Sequence, residues 1–239
     1  MNNTHGKLYL IPNTLGDTPL SQILPQGNLD IILKIKHFIV EDLKNARRFL
    51  SKAGWKGKIE QLEFYELNEH SRFADIQDHL AIAEQGIDMG LLSDAGTPCV
   101  ADPGADIVAM AHQKNIQVVP LVGPSSILLS LMASGFNGQN FAFLGYLPRE
   151  RGQREKKIKD LERRIFKEDQ TQIFIEAPYR NSQMLESLIK TCAPETKICV
   201  ARDISLSEEL IVSQRVSQWR KTQRLPDIHK RNTIFLLYK

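Results

Sequence analysis

The residues best suited to chemistry gather in Ser93-Asp94-Ala95-Gly96-Thr97-Pro98, where a carboxylate, two hydroxyls and permissive backbone follow directly on an apolar run. A carboxylate accepts hydrogen bonds from amide, hydroxyl or ammonium donors, and glycine lets the main chain approach a ligand closely. Asp102-Pro103-Gly104 comes next, with Asp102 read as a helix N-cap and Pro103 as the first helical residue ahead of Ile107-Val108-Ala109-Met110-Ala111. A second stretch of the same kind, Val122-Gly123-Pro124-Ser125-Ser126, leaves the apolar run of residues 116–121 and enters Ile127-Leu128-Leu129-Ser130-Leu131-Met132. Amide groups at such a helix start can donate to the carboxylate of an anionic or zwitterionic ligand. An ordinary strand-to-helix connection draws on the same residue types. The pair is set apart by the succession of two such loops, and a third, Pro12-Asn13-Thr14-Leu15-Gly16-Asp17, ends the first apolar run.

The elements that must position these loops alternate. Strands are expected at residues 7–11, 37–40, 87–92, 116–121 and 141–146, with residues 59–67 extended. Helices are expected where Leu43, Ala46, Leu50 and Ala53 keep helical spacing up to Gly54, and over residues 73–85, where Ile76, Leu80 and Ala83 share a face. Alternation of this kind implies a parallel sheet, and ligands favour the C-terminal edge of its strands. Pro148 opens a charged segment that reads as a boundary, giving an α/β domain over residues 1–146 and a second over 147–239. In the second, Ile158, Leu161, Ile165 and Phe166 mark the buried face of a helix whose other positions hold Arg154, Lys157, Lys159, Arg163, Arg164 and Lys167. Strands follow at 172–176, 197–201 and 233–238, and a helix opened by Ala177-Pro178 carries Met184, Leu188 and Cys192 on one face.

Composition excludes several classes. The 239 residues are 42% hydrophobic, enough for real cores. No apolar run approaches the roughly 20 residues of a membrane span, and residues 1–7 lack a signal-peptide core, so a cytoplasmic location is expected. Cys99, Cys192 and Cys199 form no Cys-x-x-Cys pair and no His-Glu-x-x-His is present, so the cysteines read as reduced and no metal is expected. There is no Gly-x-Gly-x-x-Gly, no phosphate loop and no Gly-x-Ser-x-Gly elbow, which argues against the commonest nucleotide folds and hydrolases. Net charge is +3, yet residues 1–146 hold 11 Lys/Arg against 15 Asp/Glu while 147–239 hold 20 against 13, giving −4 and +7. The basic second half permits a polyanionic partner.

Ser93-Asp94-Ala95-Gly96-Thr97-Pro98 with Asp102-Pro103-Gly104, followed by Val119-Pro120-Leu121-Val122-Gly123-Pro124-Ser125-Ser126, resembles the tetrapyrrole (corrin/porphyrin) methylase superfamily. Phe143-Leu144-Gly145-Tyr146-Leu147-Pro148, Ile173-Phe174-Ile175-Glu176-Ala177-Pro178-Tyr179-Arg180 and Val200-Ala201-Arg202-Asp203 are similar to blocks of its branch that methylates a cytidine 2′-hydroxyl in small-subunit ribosomal RNA. Departures fall in Pro12-Asn13-Thr14-Leu15-Gly16-Asp17, in Glu41-Asp42-Leu43-Lys44, where the branch has Glu-Asp-Thr-Arg, and in Lys230-Arg231-Asn232-Thr233, where it has Lys-Gly-Glu.

The resemblance implies two α/β domains with S-adenosylmethionine in a cleft between them, a homodimer, and methyl transfer to ribosomal RNA or the small ribosomal subunit. Carried over position by position, it places Leu15, Asp94, Gly96, Thr97, Ser125, Ser126, Ile175, Ala201 and Thr233 around the donor. Arg163 and Arg164 are the candidate RNA contacts. No feature marks a general base. Glu176 and Asp203 lie near the expected cleft strands, and Glu176 with Arg180 reads equally as a structural ion pair. A small tetrapyrrole or a protein as acceptor, and a nucleic-acid-binding protein that keeps the fold with little activity, stand as alternatives.

Overall fold

The computed structural model describes residues 5–67 and 78–239. Its chain divides into two compact units, Met1–Ser125 and Ser126–Lys239. The first unit runs β1 (Lys7–Ile11), α1 (Leu20–Ile23), α2 (Gln26–Ile32), β2 (His37–Val40), α3 (Leu43–Leu50), β3 (Glu63–Glu66), α4 (Ala81–Glu84), β4 (Met89–Leu92), α5 (Gly104–Gln113) and β5 (Gln117–Pro120). Its five strands are ordered β3-β2-β4-β1-β5, and every pairing is parallel.

The period-2 alternation of the strands decides the layers. Ile11, Phe38, Val40 and Leu92 face a core closed by Ile32 of α2 and by Ala46, Phe49 and Leu50 of α3. Leu8, Ile39, Met89 and Leu91 face the opposite core with Ile107, Met110 and Ala111 of α5. The sheet is therefore buried on both sides, which is why its strands read as continuous apolar runs. Gly54, with φ 118°, ends the turn that extends α3, as its sequence position suggests. Of the helix expected over 73–85, residues 73–77 lie outside the described residues, and the remainder contains α4.

The second unit contains α6 (Ser126–Ser134), β6 (Phe141–Tyr146), α7 (Arg151–Glu168), β7 (Thr171–Ile175), α8 (Asn181–Thr191), β8 (Lys197–Arg202), β9 (Leu210–Arg215), α9 (Val216–Trp219) and β10 (Thr233–Tyr238). Its sheet, ordered β6-β7-β10-β8-β9, is mixed: β6 and β7 are parallel, and the other pairings are antiparallel. Strand β6 belongs here by its pairing with β7, so the division falls at Ser125, ahead of the boundary expected after Tyr146. Ile158, Leu161 and Ile165 of α7 pack with Met184, Leu185 and Leu188 of α8 against Phe174, Val200 and Phe235.

Two residues of α7 depart from the expected faces. Arg154 is 2% exposed, because it stands one turn before Ile158 on the buried stripe, and its guanidinium donates from Nε to Ser187 Oγ (3.2 Å) and from Nη1 to the Arg149 carbonyl (2.9 Å). Phe166 falls off that stripe and is exposed.

Candidate functional site

Register brings the loops of the first unit together. Ile11 of β1 and Val40 of β2 both align with Leu92 of β4, and Leu10 of β1 aligns with Pro120 of β5. The chain segments after these four strands consequently leave one edge of the sheet, the edge where open α/β sheets hold ligands. Asn13 ties two of them: its N–H donates to the Gly96 carbonyl (2.8 Å), and its side-chain amide to the carbonyls of Ser93 (3.3 Å) and Asp94 (3.1 Å). Gly96 has φ +69°, and a Cβ there would meet Leu15 Cδ2 at 3.1 Å and the Pro124 carbonyl oxygen at 3.4 Å. Gly123 approaches more closely still, since its Cβ would fall 2.2 Å from Pro12. Leu15, Asp94, Gly96 and Thr97 are thus gathered with the segment that carries Ser125.

The loop after β4 holds two non-glycine residues in the left-handed region, Cys99 (φ 67°) and Ala101 (φ 64°), at roughly 1 kcal/mol each. The Asp102 carboxylate offsets this by accepting from the Cys99 N–H (2.9 and 2.8 Å) and the Gly104 N–H (2.8 Å). The helix therefore begins at Gly104, one residue later than expected, with Asp102 bonded to its first amide. Burial pushes the Cys99 thiol up to about 12, so it is no nucleophile at neutral pH.

The Asp94 carboxylate is exposed and accepts from Asn45 Nδ2 of α3 at 3.1 Å. Beside it, at the end of β2, Glu41 is half-buried and its carboxyl is pushed up to about 7. Burial is the main cause, the nearby Asp102 and Asp94 charges add to it, and a main-chain hydrogen bond from Asp94 opposes it. A carboxyl group that titrates near neutrality can take up and release a proton under working conditions.

Sequence reasoning passed over a pocket of about 540 Å³ on the same edge, bounded by residues 13–17 and α3. Asn45, Arg48, Phe49 and Lys52 line its helical wall, spaced to share one side of α3 and the turn after it. Helical spacing was the available signal, because those positions interleave with the buried Ala46 and Leu50.

In the second unit, Ile234 of β10 aligns with Ile175 on one side and Ala201 on the other. Thr233, one residue earlier, donates from Oγ1 to the Arg231 carbonyl at 3.1 Å. These three assigned residues therefore cluster, while Ser126 opens α6. The two neighbouring carboxylates are structural. Buried Glu176 pairs with Arg180 and accepts from the Ala177 N–H (2.7 Å), and buried Asp203 pairs with Arg231 (2.5 Å). Arg163 pairs with Asp160, and both Arg163 and Arg164 are exposed on α7. A groove of about 560 Å³ beside them is lined by Lys156, Lys159, Arg163, Lys190 and Arg220, with Asp160 and Glu162. Among the described residues no group of three His, Cys, Asp or Glu is placed to hold a metal ion, and no helix is long and apolar enough to cross a membrane.

Parallel first sheet, mixed second sheet and the convergence of loops at one strand edge define an architecture that known proteins share. Residues 20–219 match the family described as Tetrapyrrole (Corrin/Porphyrin) Methylases. The chain belongs to this family, and it is a methyltransferase that uses S-adenosylmethionine. Among curated relatives, the Ribosomal RNA small subunit methyltransferase I of Pasteurella multocida is 32% identical over 223 residues, covering 92% of this chain and 74% of the relative. The protein of that name from Vibrio cholerae is 30% identical over 204 residues, covering 85% and 67%. The crystal structure of the methyltransferase CobJ superposes with a TM-score of 0.65 at 15% identity, covering 98% of this chain and 94% of that one. The uroporphyrin-III C-methyl transferase of Thermus thermophilus, complexed with S-adenyl homocysteine, gives 0.58 at 16% identity and covers 98% of both chains.

Proposed function

We propose that this methyltransferase acts on small-subunit ribosomal RNA and that its acceptor is the 2′-hydroxyl of a cytidine ribose. The observation that carries the reading is the 30–32% identity to ribosomal RNA small subunit methyltransferases over most of the chain. The basic groove beside α7 adds to it, since RNA is held largely through its phosphates.

The donor supplies a methyl group already activated by its sulfonium sulfur. The residues gathered at the strand edge fit such a ligand: Gly96 supplies the left-handed backbone (φ +69°) that turns the loop against Leu15, and the Asp94 carboxylate stands exposed to accept from its polar groups. First-turn amides of α6, beginning at Ser126, are suited to a carboxylate. Leu15, Asp94, Gly96, Thr97 and Ser125 are assigned to the donor in the first unit, and Ser126, Ile175, Ala201 and Thr233 in the second. With a hydroxyl acceptor, the protein's remaining tasks are to align the oxygen with the methyl carbon and to provide for loss of the proton. A homodimer in the cytoplasm completes the proposal, and light scattering that returned a single-chain mass at micromolar concentration would refute the dimer.

The test is transfer of a labelled methyl group. Small-subunit RNA, a tetrapyrrole and bulk protein are offered in parallel with the labelled donor, and the RNA is digested to nucleosides for mass spectrometry. Label in 2′-O-methylcytidine is the expected result. Label in a tetrapyrrole or in protein assigns the enzyme another acceptor, and donor binding without transfer to any of the three favours a binding protein.

A further inference from the structure

The first unit is acidic overall, with 11 Lys/Arg against 15 Asp/Glu, and its cations are concentrated. Lys44, Arg47, Arg48, Lys52, Lys56 and Lys58 all fall within residues 43–59, a span that contains no Asp or Glu. Without that span the unit holds 5 Lys/Arg and all 15 of its acidic residues. Six like charges in one acidic unit create a local positive field that average composition conceals.

The structure shows where two of these cations point. Arg48 and Lys52 line the pocket of about 540 Å³, as do Asp94 and Ala95. Among the described residues the Arg48 guanidinium makes no hydrogen bond or ion pair, although its charge acts on the nearby Asp17 carboxylate. Lys52 donates to Asp17 at 2.7 Å, and the Asp17 side chain is 93% exposed. A pair so exposed contributes little to stability, so Lys52 can exchange that carboxylate for another anion. The volume lies within the range of small-ligand sites. The lining is dominated by polar groups, with amides from Asn13 and Asn45 and the hydroxyl of Thr14.

From these features we infer that the pocket between residues 13–17 and α3 binds a backbone phosphate of the RNA acceptor strand, through Arg48 and Lys52. A guanidinium presents a planar fork suited to two phosphate oxygens, and an ammonium adds a point charge. Leu15 and Asp94, assigned to the donor, also line this pocket, so a strand held there by Arg48 and Lys52 brings a neighbouring ribose to the donor loops. This inference rests on the ribosomal RNA reading, and its test separates the two.

The full-length wild type, R48A/K52A and D17N are compared by three measurements: donor affinity by calorimetry, binding of a small-subunit RNA fragment over a salt series, and methyl incorporation into that fragment. For R48A/K52A, donor affinity should stay within twofold of wild type. RNA binding should weaken at least tenfold at 0.1 M salt, and the log–log salt slope should fall by about 0.7, the release expected for one phosphate contact on a single strand. D17N frees Lys52 and should tighten RNA binding without altering donor affinity, a gain that damage to folding would not produce. Unchanged RNA affinity and salt slope in R48A/K52A overturn the inference. Loss of donor affinity in its place assigns the pocket to the donor and overturns it equally. Wild-type enzyme that methylates no RNA refutes the ribosomal reading, and the phosphate site falls with it.

Discussion

Glu41 and Asp94 stand at the ends of neighbouring strands, yet their surroundings assign them different behaviour. The Glu41 carboxyl is raised to about 7 from an ordinary 4.5, so the folded protein holds this proton more tightly than the unfolded chain does. Below pH 4.5 both states are protonated and the group has no effect on stability. Between 4.5 and 7 the unfolded chain ionises first, stability is lost as pH rises, and the loss is complete above 7. Glu41→Gln removes that dependence while retaining an acceptor for the Asp94 N–H. Urea unfolding at pH 5 and pH 8 should therefore show the variant gaining on wild type at the higher pH, and an equal difference at both values would exclude the linkage. Asp94 is exposed, so Asp94→Ala removes little packing. Loss of a hydrogen bond to a charged group is worth about 1.5–3 kcal/mol, and donor affinity should drop roughly 10- to 100-fold with the melting temperature nearly unchanged. Calorimetry that found wild-type affinity in the folded variant would remove Asp94 from the site.

Helix α7 separates a structural cation from surface ones within a single element. Arg154 is buried, and its donors satisfy Ser187 Oγ and the Arg149 carbonyl. Arg154→Ala opens a cavity and strands both acceptors, at a cost of about 3 kcal/mol. Replacing the exposed Arg163 and Arg164 together should shift stability by less than about 1 kcal/mol. Chemical unfolding of the two variants decides the contrast, and equal losses would contradict the burial of Arg154 on the inner face of α7. The same helix shows what the sequence makes legible. Ile158, Leu161 and Ile165 fix the buried stripe by spacing alone, whereas Arg154 looks solvated because charge is an unreliable guide one turn from the end of an apolar stripe. Strands β1, β2, β6 and β10 have the boundaries their apolar runs suggest. Strand β9 does not announce itself, since it lies at an edge of its sheet and half of it is Ser213-Gln214-Arg215. The Glu41 shift was beyond sequence reading for a related reason: it arises from parallel neighbours far apart in the chain, where proximity depends on strand order.

Strand order also corrects the division of the whole chain while leaving its charge pattern intact. Residues 126–146 pass from the first half to the second unit, and none of them is Asp, Glu, Lys or Arg. The first unit therefore keeps −4 and the second +7, with nine Lys/Arg between Arg149 and Lys167. Glu150, Glu155, Asp160 and Glu162 dilute that basic span, and the structure shows how several are occupied. Glu150 caps α7 through the Gly152 and Gln153 amides, Glu155 and Asp160 pair with Arg151 and Arg163, and Glu162 accepts from the Ala193 N–H (2.7 Å) and from Thr196 Oγ1. Lys156, Lys159 and Lys190 line the groove. A polyanion bound there releases counterions, so RNA affinity should fall steeply with salt. R163A/R164A should lower the log–log slope by about 1.5 if each arginine meets one phosphate. Donor affinity should be unchanged, because neither residue belongs to the loops assigned to the donor. Fluorescence anisotropy of a labelled small-subunit RNA fragment between 0.05 and 0.3 M salt, at concentrations spanning roughly 10⁻⁹ to 10⁻⁵ M, reads the slope directly. A slope equal to that of wild type would take α7 out of the RNA path, and weak binding insensitive to salt would count against a polyanionic acceptor altogether.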